Sequence, residues 1–269
     1  MPNARSHMDD RRPVPFRGGG FSPMPVRYAA AIGFAVLLAI WELAVRRGLV
    51  SPIFLPAPST IVAALGDLWR AGTLWQHVSQ SLVRLAGGWC LGTAAGLAAG
   101  LLMGVWSLGR AVGVPFVSAL FPIPKISLLP LLILWLGIGE ASKIATIALG
   151  VFFPTAIAAY TAIDAVPRNL IRMAQSFGLP AGDVLRKIVL PGALPGILAG
   201  FRISTSIALI LLVSAEMIGA QYGIGAFVLQ AGNLMLTDQL LAGVLLISLL
   251  GLMLGAGLGR LERHLLRWR

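Results

Sequence analysis

Few residues in this chain have the type and setting to do chemistry. Glu42, Arg202 and Glu216 fall inside otherwise apolar runs. A charge at mid-bilayer costs at least about 2.5–3.5 kcal/mol, so each should be paired, near an interface, or functional. Glu42 precedes Arg46 by one helical turn, the spacing of a local ion pair. Arg202 lies near one end of its run, within reach of the interface through its long side chain. Glu216 lies near the other end of that run, followed by Tyr222-Gly223-Ile224-Gly225, a flexible turn by composition. Glu216 suits either a pathway or gate role or a plain interfacial pair.

Other chemistries lack their residues. A phosphate-binding loop needs Gly-Lys-Ser/Thr so that backbone amides and a lysine can cradle the phosphates. The lysines here, Lys125, Lys143 and Lys187, follow Pro, Ser and Arg. The single cysteine, Cys90, excludes an internal disulfide and a cysteine-based metal site. His7, His77 and His264 have no ligand-spaced partners, and no nucleophile–base constellation or HExxH pattern occurs. No catalytic residue, metal ligand or bound cofactor is therefore assigned, and the chain is not expected to be an enzyme.

Residues 164–195 form the longest polar interruption between apolar runs, and their pattern is ordered. Residues 169–177 suit a short helix stopped by Gly178, a residue fitted to the left-handed conformation just past a helix end. Asp183 is placed to cap a second short helix through Val189, halted by Pro191. The product is a helix–Gly–helix elbow, either an ordinary structured loop or a docking element for a partner.

The elements that hold these residues follow from composition. Of 269 residues, 57% are hydrophobic and 12% charged, and the mean hydropathy is +0.86. Soluble domains are about 45–50% apolar and about 25% charged. At about 20 apolar residues per crossing, the chain is expected to be all-α and polytopic, with about six spans: 28–46, 82–106, 113–137, 143–164, 196–219 and 238–259. The first is expected to be a retained span, with no A-x-A-like cleavage site after it. A Pro-rich amphipathic connection from Ser51 and a short helix through Trp69 link the first two spans, so 28–81 forms one unit and 82–260 the core. The net charge of +11 is not a nucleic-acid patch, because the basic residues lie between apolar runs. With both termini inside, inner segments carry fourteen basic residues against five outside, which sets the orientation. The tails 1–27 and 261–269 are then cytoplasmic, as is the 164–195 loop.

Two spans have internal features. Gly88, Gly92, Gly96, Gly100 and Gly104 recur every four residues, lining one side of a helix where another backbone can approach closely. Packing within one subunit or a dimer seam would each use such a row. Pro115, Pro122, Pro124 and Pro130 interrupt the third span, which is expected to be kinked or discontinuous.

Ala174, Gly178, Ile188, Leu190 and Pro191 reproduce the spacing A-x3-G-x9-I-x-L-P, which resembles the E-A-A loop of ABC importer permeases. Arg172 and Met173 replace the leading Glu and Ala of that pattern. Residues 130–143, from Pro130 through Trp135 and Glu140 to Lys143, resemble the matching stretch of nitrate, sulfonate and taurine importer permeases. Phe152-Phe153-Pro154 and Ala215-Glu216 with Gly223-Ile224-Gly225 resemble the same branch. The resemblance implies a type I ABC importer (MetI-like) permease fold in a bacterial inner membrane. It also implies a homodimer, two ABC ATPase subunits that use ATP and Mg, and a periplasmic substrate-binding protein. Arg172, Met173, Ala174, Gly178, Asp183, Ile188, Leu190 and Pro191 would couple to the ATPase. Glu216, Pro130, Trp135 and Glu140 would be pathway or gate residues for nitrate, a sulfonate, taurine or a similar solute. The alternative is a secondary transporter or channel with no ATPase, but the spans show no clear repeat and few acids for ion coupling.

Overall fold

The computed structural model describes residues 28–268; the tail expected at 1–27 lies outside the described residues. The described residues are all-α. Five helices are long and apolar enough to cross a membrane: α1 (Ala29–Arg46), α3 (Thr73–Val105), α6 (Glu140–Asp164), the run Ala181–Gly219, and α11 (Thr237–Leu265). A bent pair of helices is a sixth candidate. α4 (Ser107–Leu120) and the segment Lys125–Leu136, which ends in α5 (Leu129–Leu136), meet at 88°. The break follows from Pro122 and Pro124, which cannot donate to the preceding turn. Lys125 caps the orphaned carbonyls, donating from Nζ to the oxygens of Leu120 at 2.8 Å, Phe121 at 3.0 Å and Ile123 at 2.7 Å.

The centre of the fold is α6, held on two sides by glycine. Along α3, Gly88 faces Ile147, Gly92 faces Ala148 and Val151, Gly96 faces Phe152 and Thr155, Gly100 faces Ala159, and Gly104 faces Ile163. The partners advance with the glycines, so α3 and α6 run in the same direction. On the other side stands α9 (Leu190–Gly219), where Gly192, Gly196 and Gly200 face Val166, Ala162 and Ala158. Those partners retreat as the glycines advance, so α9 is antiparallel to α6. Without a hydrophobic force between helices in lipid, such close approach is what binds them. The row on α9 was equally present in the sequence but is masked there by Pro191 and Pro195 beside it.

Three local expectations are corrected. Pro191 does not halt a helix: a π-helical turn, Leu185–Val189, leads directly into α9, with Pro191 in its first turn. A first-turn proline lacks only an N–H that would have no α-helical partner there. Asp183 does not cap the second short helix, α8 (Ala181–Val184), which begins after Pro180. Its carboxylate instead accepts from Lys187 Nζ at 3.0 Å, one turn on. Tyr222-Gly223-Ile224-Gly225, expected as a flexible turn, runs at Ile224 into α10 (Ile224–Asn233). Glu42 does pair with Arg46 at 2.6 Å, and it also accepts from the Ser59 amide at 3.0 Å, tying α1 to α2 (Pro58–Arg70).

These directions define two ends of the bundle. The starts of α3 and α6 share one end with the close of α9. The closes of α3 and α6 share the other with α7 (Arg168–Ser176), α8 and the close of α11.

Candidate functional site

At the second end, α7 and α8, the first turn of the Ala181–Gly219 run, form an elbow. Gly178 has φ +72, and two hydrogen bonds close the turn: Leu179 N–H to Ala174 O at 3.1 Å and Gly178 N–H to Gln175 O at 2.9 Å. This paired motif needs a left-handed residue after the helix, where glycine carries no Cβ penalty. Ala174 is buried and Leu179 packs beside it onto a core cluster with Ile163, Val166 and Val189. The flank of α7 next to Ala174 is bare. Leu170, Met173 and Phe177 are 40%, 53% and 77% exposed, respectively, one apolar ridge at helical spacing. Arg172 lies exposed beside it. Ile188, Leu190 and Pro191 are half-buried in the return path from the elbow to α9, with Asp183 at its start.

At the first end, a charged clasp joins three helices. Arg84, only 2% exposed, donates to Glu140 through Nη2 at 2.7 Å and also through Nε, a two-point fork on one carboxylate. Its Nη1 donates to Glu216 Oε1 at 2.8 Å and to the Tyr222 carbonyl at 2.6 Å. Guanidinium geometry permits this, since five N–H donors lie in one plane. Glu216 is fully buried and saturated: Ser81 Oγ donates to Oε1 at 2.7 Å and the Gly225 amide to Oε2 at 2.8 Å. Ser81 Oγ in turn accepts from the Ile224 amide at 2.9 Å, and His77 Nδ1 sits 2.9 Å from the Gly223 carbonyl. Gly223 has φ +144, and a Cβ there would stand 2.5 Å from Glu216 Oε1. The turn read as flexible from its composition is therefore pinned at every residue from Tyr222 to Gly225. Lys143, also buried, donates to the Gly139 carbonyl at 3.0 Å. Of the two carboxylates, Glu140 is the one that reaches water, its side chain 49% exposed.

Of the pathway or gate candidates, Glu140 and Glu216 meet through Arg84, whereas Pro130 and Trp135 lie exposed on α5, apart from the clasp. Arg84 is one of the five basic residues expected outside, His77 stood only as a histidine without a ligand-spaced partner, and Ser81 was not singled out. A signal was available, for His77, Ser81 and Arg84 extend the face of α3 that carries Gly88 and Gly92. Phe177 and Leu170 were likewise passed over, although with Met173 they recur at helical spacing.

Residues 92–267 match the family described as "Binding-protein-dependent transport system inner membrane component". The chain is 37% identical over 252 residues to the taurine transport system permease protein TauC of Escherichia coli (strain K12), covering 91% of this chain and 92% of that protein. It is 37% identical over 235 residues to the permease protein SsuC of Bacillus subtilis (strain 168), named for aliphatic sulfonates transport, covering 87% of this chain and 85% of that one. Among solved structures, the fold matches the inward-facing MetNI methionine ABC transporter with a TM-score of 0.62 at 24% identity, over 72% of this chain and 96% of that one.

Proposed function

Because the chain belongs to the family of binding-protein-dependent transport system inner membrane components, we propose that it carries taurine or a similar small sulfonate across the bacterial inner membrane. In this reading it works as a homodimer with two ATPase subunits and a periplasmic binding protein. The ATPases use ATP and Mg, and the permease contributes no catalytic residue. With six crossings, counting the broken α4–α5 unit as one, both termini and the elbow would lie in the cytoplasm. The excess of basic residues at the elbow end supports that orientation, and the clasp end then faces the binding protein. Pro130 and Trp135 on α5, with Glu140 at the clasp, stand as pathway or gate residues.

One observation carries the assignment of the motor's docking site: the ridge of Leu170, Met173 and Phe177. A water-facing aromatic flanked by two apolar side chains is the pattern of a helix that seats in a partner's groove. The inner side of the same helix is anchored by Ala174 and Leu179 on the bundle, so a push on the ridge is delivered to the closes of α6 and α3. The elbow is thus both a knob and a lever.

Gly178→Val tests this. A β-branched residue at φ +72 costs roughly 1–2 kcal/mol in that turn, while the space around Gly178 is open and no span is touched. The variant should insert and remain folded, yet hold its ATPase about tenfold more weakly and lose most uptake of labelled taurine. Gly182→Ala should be nearly silent, since the Gly182 backbone is ordinary helix and its surroundings are open. Normal co-purification of the ATPase with Gly178→Val, together with normal uptake, would remove residues 164–195 as the docking site.

A further inference from the structure

A groove of about 410 Å³ runs between α9 and α11 on the outer surface of the bundle, its wall formed by Leu209, Leu252 and Leu258 with the small side chains of Thr205, Ser206 and Ser248 between them. It exists because α11 presents Gly251 and Gly255 there; a Cβ at Gly255 would meet nothing within 4 Å. A second apolar groove of about 220 Å³, between α11 and α3, shares Thr205 and Leu258 with the first. At the elbow end the larger groove opens under Arg202. A Cβ at Gly259 would lie 3.8 Å from an Arg263 guanidinium nitrogen and 4.0 Å from one of Arg202, so two cations converge over one glycine. The carboxylate facing them is Glu262, which pairs with Arg202 at 2.5 Å. Arg260 and Arg267 add further positive charge on the same last turns, so the cluster keeps an excess of cations.

We propose that this is a binding site for an anionic phospholipid of the leaflet at the elbow end. Its phosphate would lie between Arg202 and Arg263, and its two acyl chains in the two grooves that meet at Thr205 and Leu258. Apolar channels of this width are awkward for water and are not filled by any described side chain. Lipid tails are the apolar material at hand in a membrane, and basic pockets between membrane helices recruit anionic headgroups. A zwitterionic lipid would fill the grooves and bring a phosphate too, but its choline cation would return a positive charge to a cluster already in excess of cations. A free phosphate would answer the cations but leave the grooves empty.

The test uses the full-length chain, purified in detergent and titrated separately with dioleoylphosphatidylglycerol, dioleoylphosphatidylcholine and inorganic phosphate, reading the shift in its thermal midpoint. Phosphatidylglycerol should raise the midpoint and the other two should not. A basic residue near a charged surface is worth about fivefold in affinity, so R202Q/R263Q should weaken the response by roughly twentyfold. Gly255→Leu fills the larger groove without touching either arginine, and should weaken phosphatidylglycerol binding while leaving the lipid-free midpoint unchanged. Equal shifts with phosphatidylcholine, a matching shift with inorganic phosphate, or undiminished phosphatidylglycerol response in both variants would each overturn the proposal.

Discussion

Arg84→Gln is expected to cost about 3–5 kcal/mol of stability, the penalty for leaving a buried carboxylate without its counter-charge. Arg84 and Glu216 are both shielded from solvent, and among the described residues no other cation forms an ion pair with Glu216. The variant also strips the Tyr222 carbonyl of its donor, so the 222–225 turn loses one of the contacts that hold it. In a chain of this size the loss corresponds to a drop of roughly 10 °C in thermal midpoint. Glu216→Gln should cost less, because the amide still accepts from the Gly225 N–H and Arg84 keeps its fork on Glu140. Glu140→Gln should cost least, since that side chain is half in water and Arg84 keeps Glu216. Arg84→Lys should not rescue, for an ammonium cannot span two carboxylates and a carbonyl in one plane. Equal midpoints for Arg84→Gln and Glu140→Gln would mean that the buried half of the clasp carries no weight.

The order of these effects also separates stability from transport. Glu140 is the arm of the clasp that water can reach, at the first residue of α6 and just after Gly137, a glycine with φ +83. A change at Glu140 that spares the midpoint but alters uptake would assign that arm to gating. A change at Glu216 cannot be read so simply, because its carboxylate holds the backbone of the adjoining turn.

Legibility in the sequence differed sharply between elements. Spans were legible because each needs a long apolar run, and no tertiary partner is required to see it. The break between α4 and α5 was legible because Pro122 and Pro124 act on the backbone directly. The Gly178 turn was legible for the same local reason. The clasp was not, since its members lie on three helices far apart in sequence. Arg84 looked like an ordinary boundary charge, and only the approach of α9 and α6 turns it into a buried hub. Pro191 misled because proline in a helix interior and proline in a first turn look alike in sequence. The π-helical turn that decides between them has no sequence signature of its own.

Gly96→Leu should be as damaging as the loss of Arg84, by a wholly different route. A Cβ at Gly96 would stand 2.5 Å from the Phe152 carbonyl oxygen and 3.0 Å from Thr155 Cβ. The first of these is backbone and cannot swing aside, so relief requires α3 and α6 to separate. Overpacking a well-packed site costs about 1–3 kcal/mol, occasionally more. Here the upper end applies, because separation at Gly96 also opens the contacts of Gly92 and Gly100, one turn away on either side. Gly96→Ala should already lower the midpoint, since the clash begins at Cβ. Gly66→Leu is the control: that glycine lies in α2, outside the row, with nothing within 4 Å of its would-be Cβ, and it should leave the midpoint nearly unchanged. The measurement is the unfolding midpoint and the monodisperse yield of each variant in detergent. If the row were a seam between two subunits, Gly96→Leu would yield a folded monomer with the wild-type midpoint, and that outcome would refute the α3–α6 packing as the source of the effect. The packing account requires the monomer itself to fail, because α6 is held between this row on α3 and the second row on α9, and releasing one side leaves it without the close backbone contact that substitutes for a hydrophobic force in lipid.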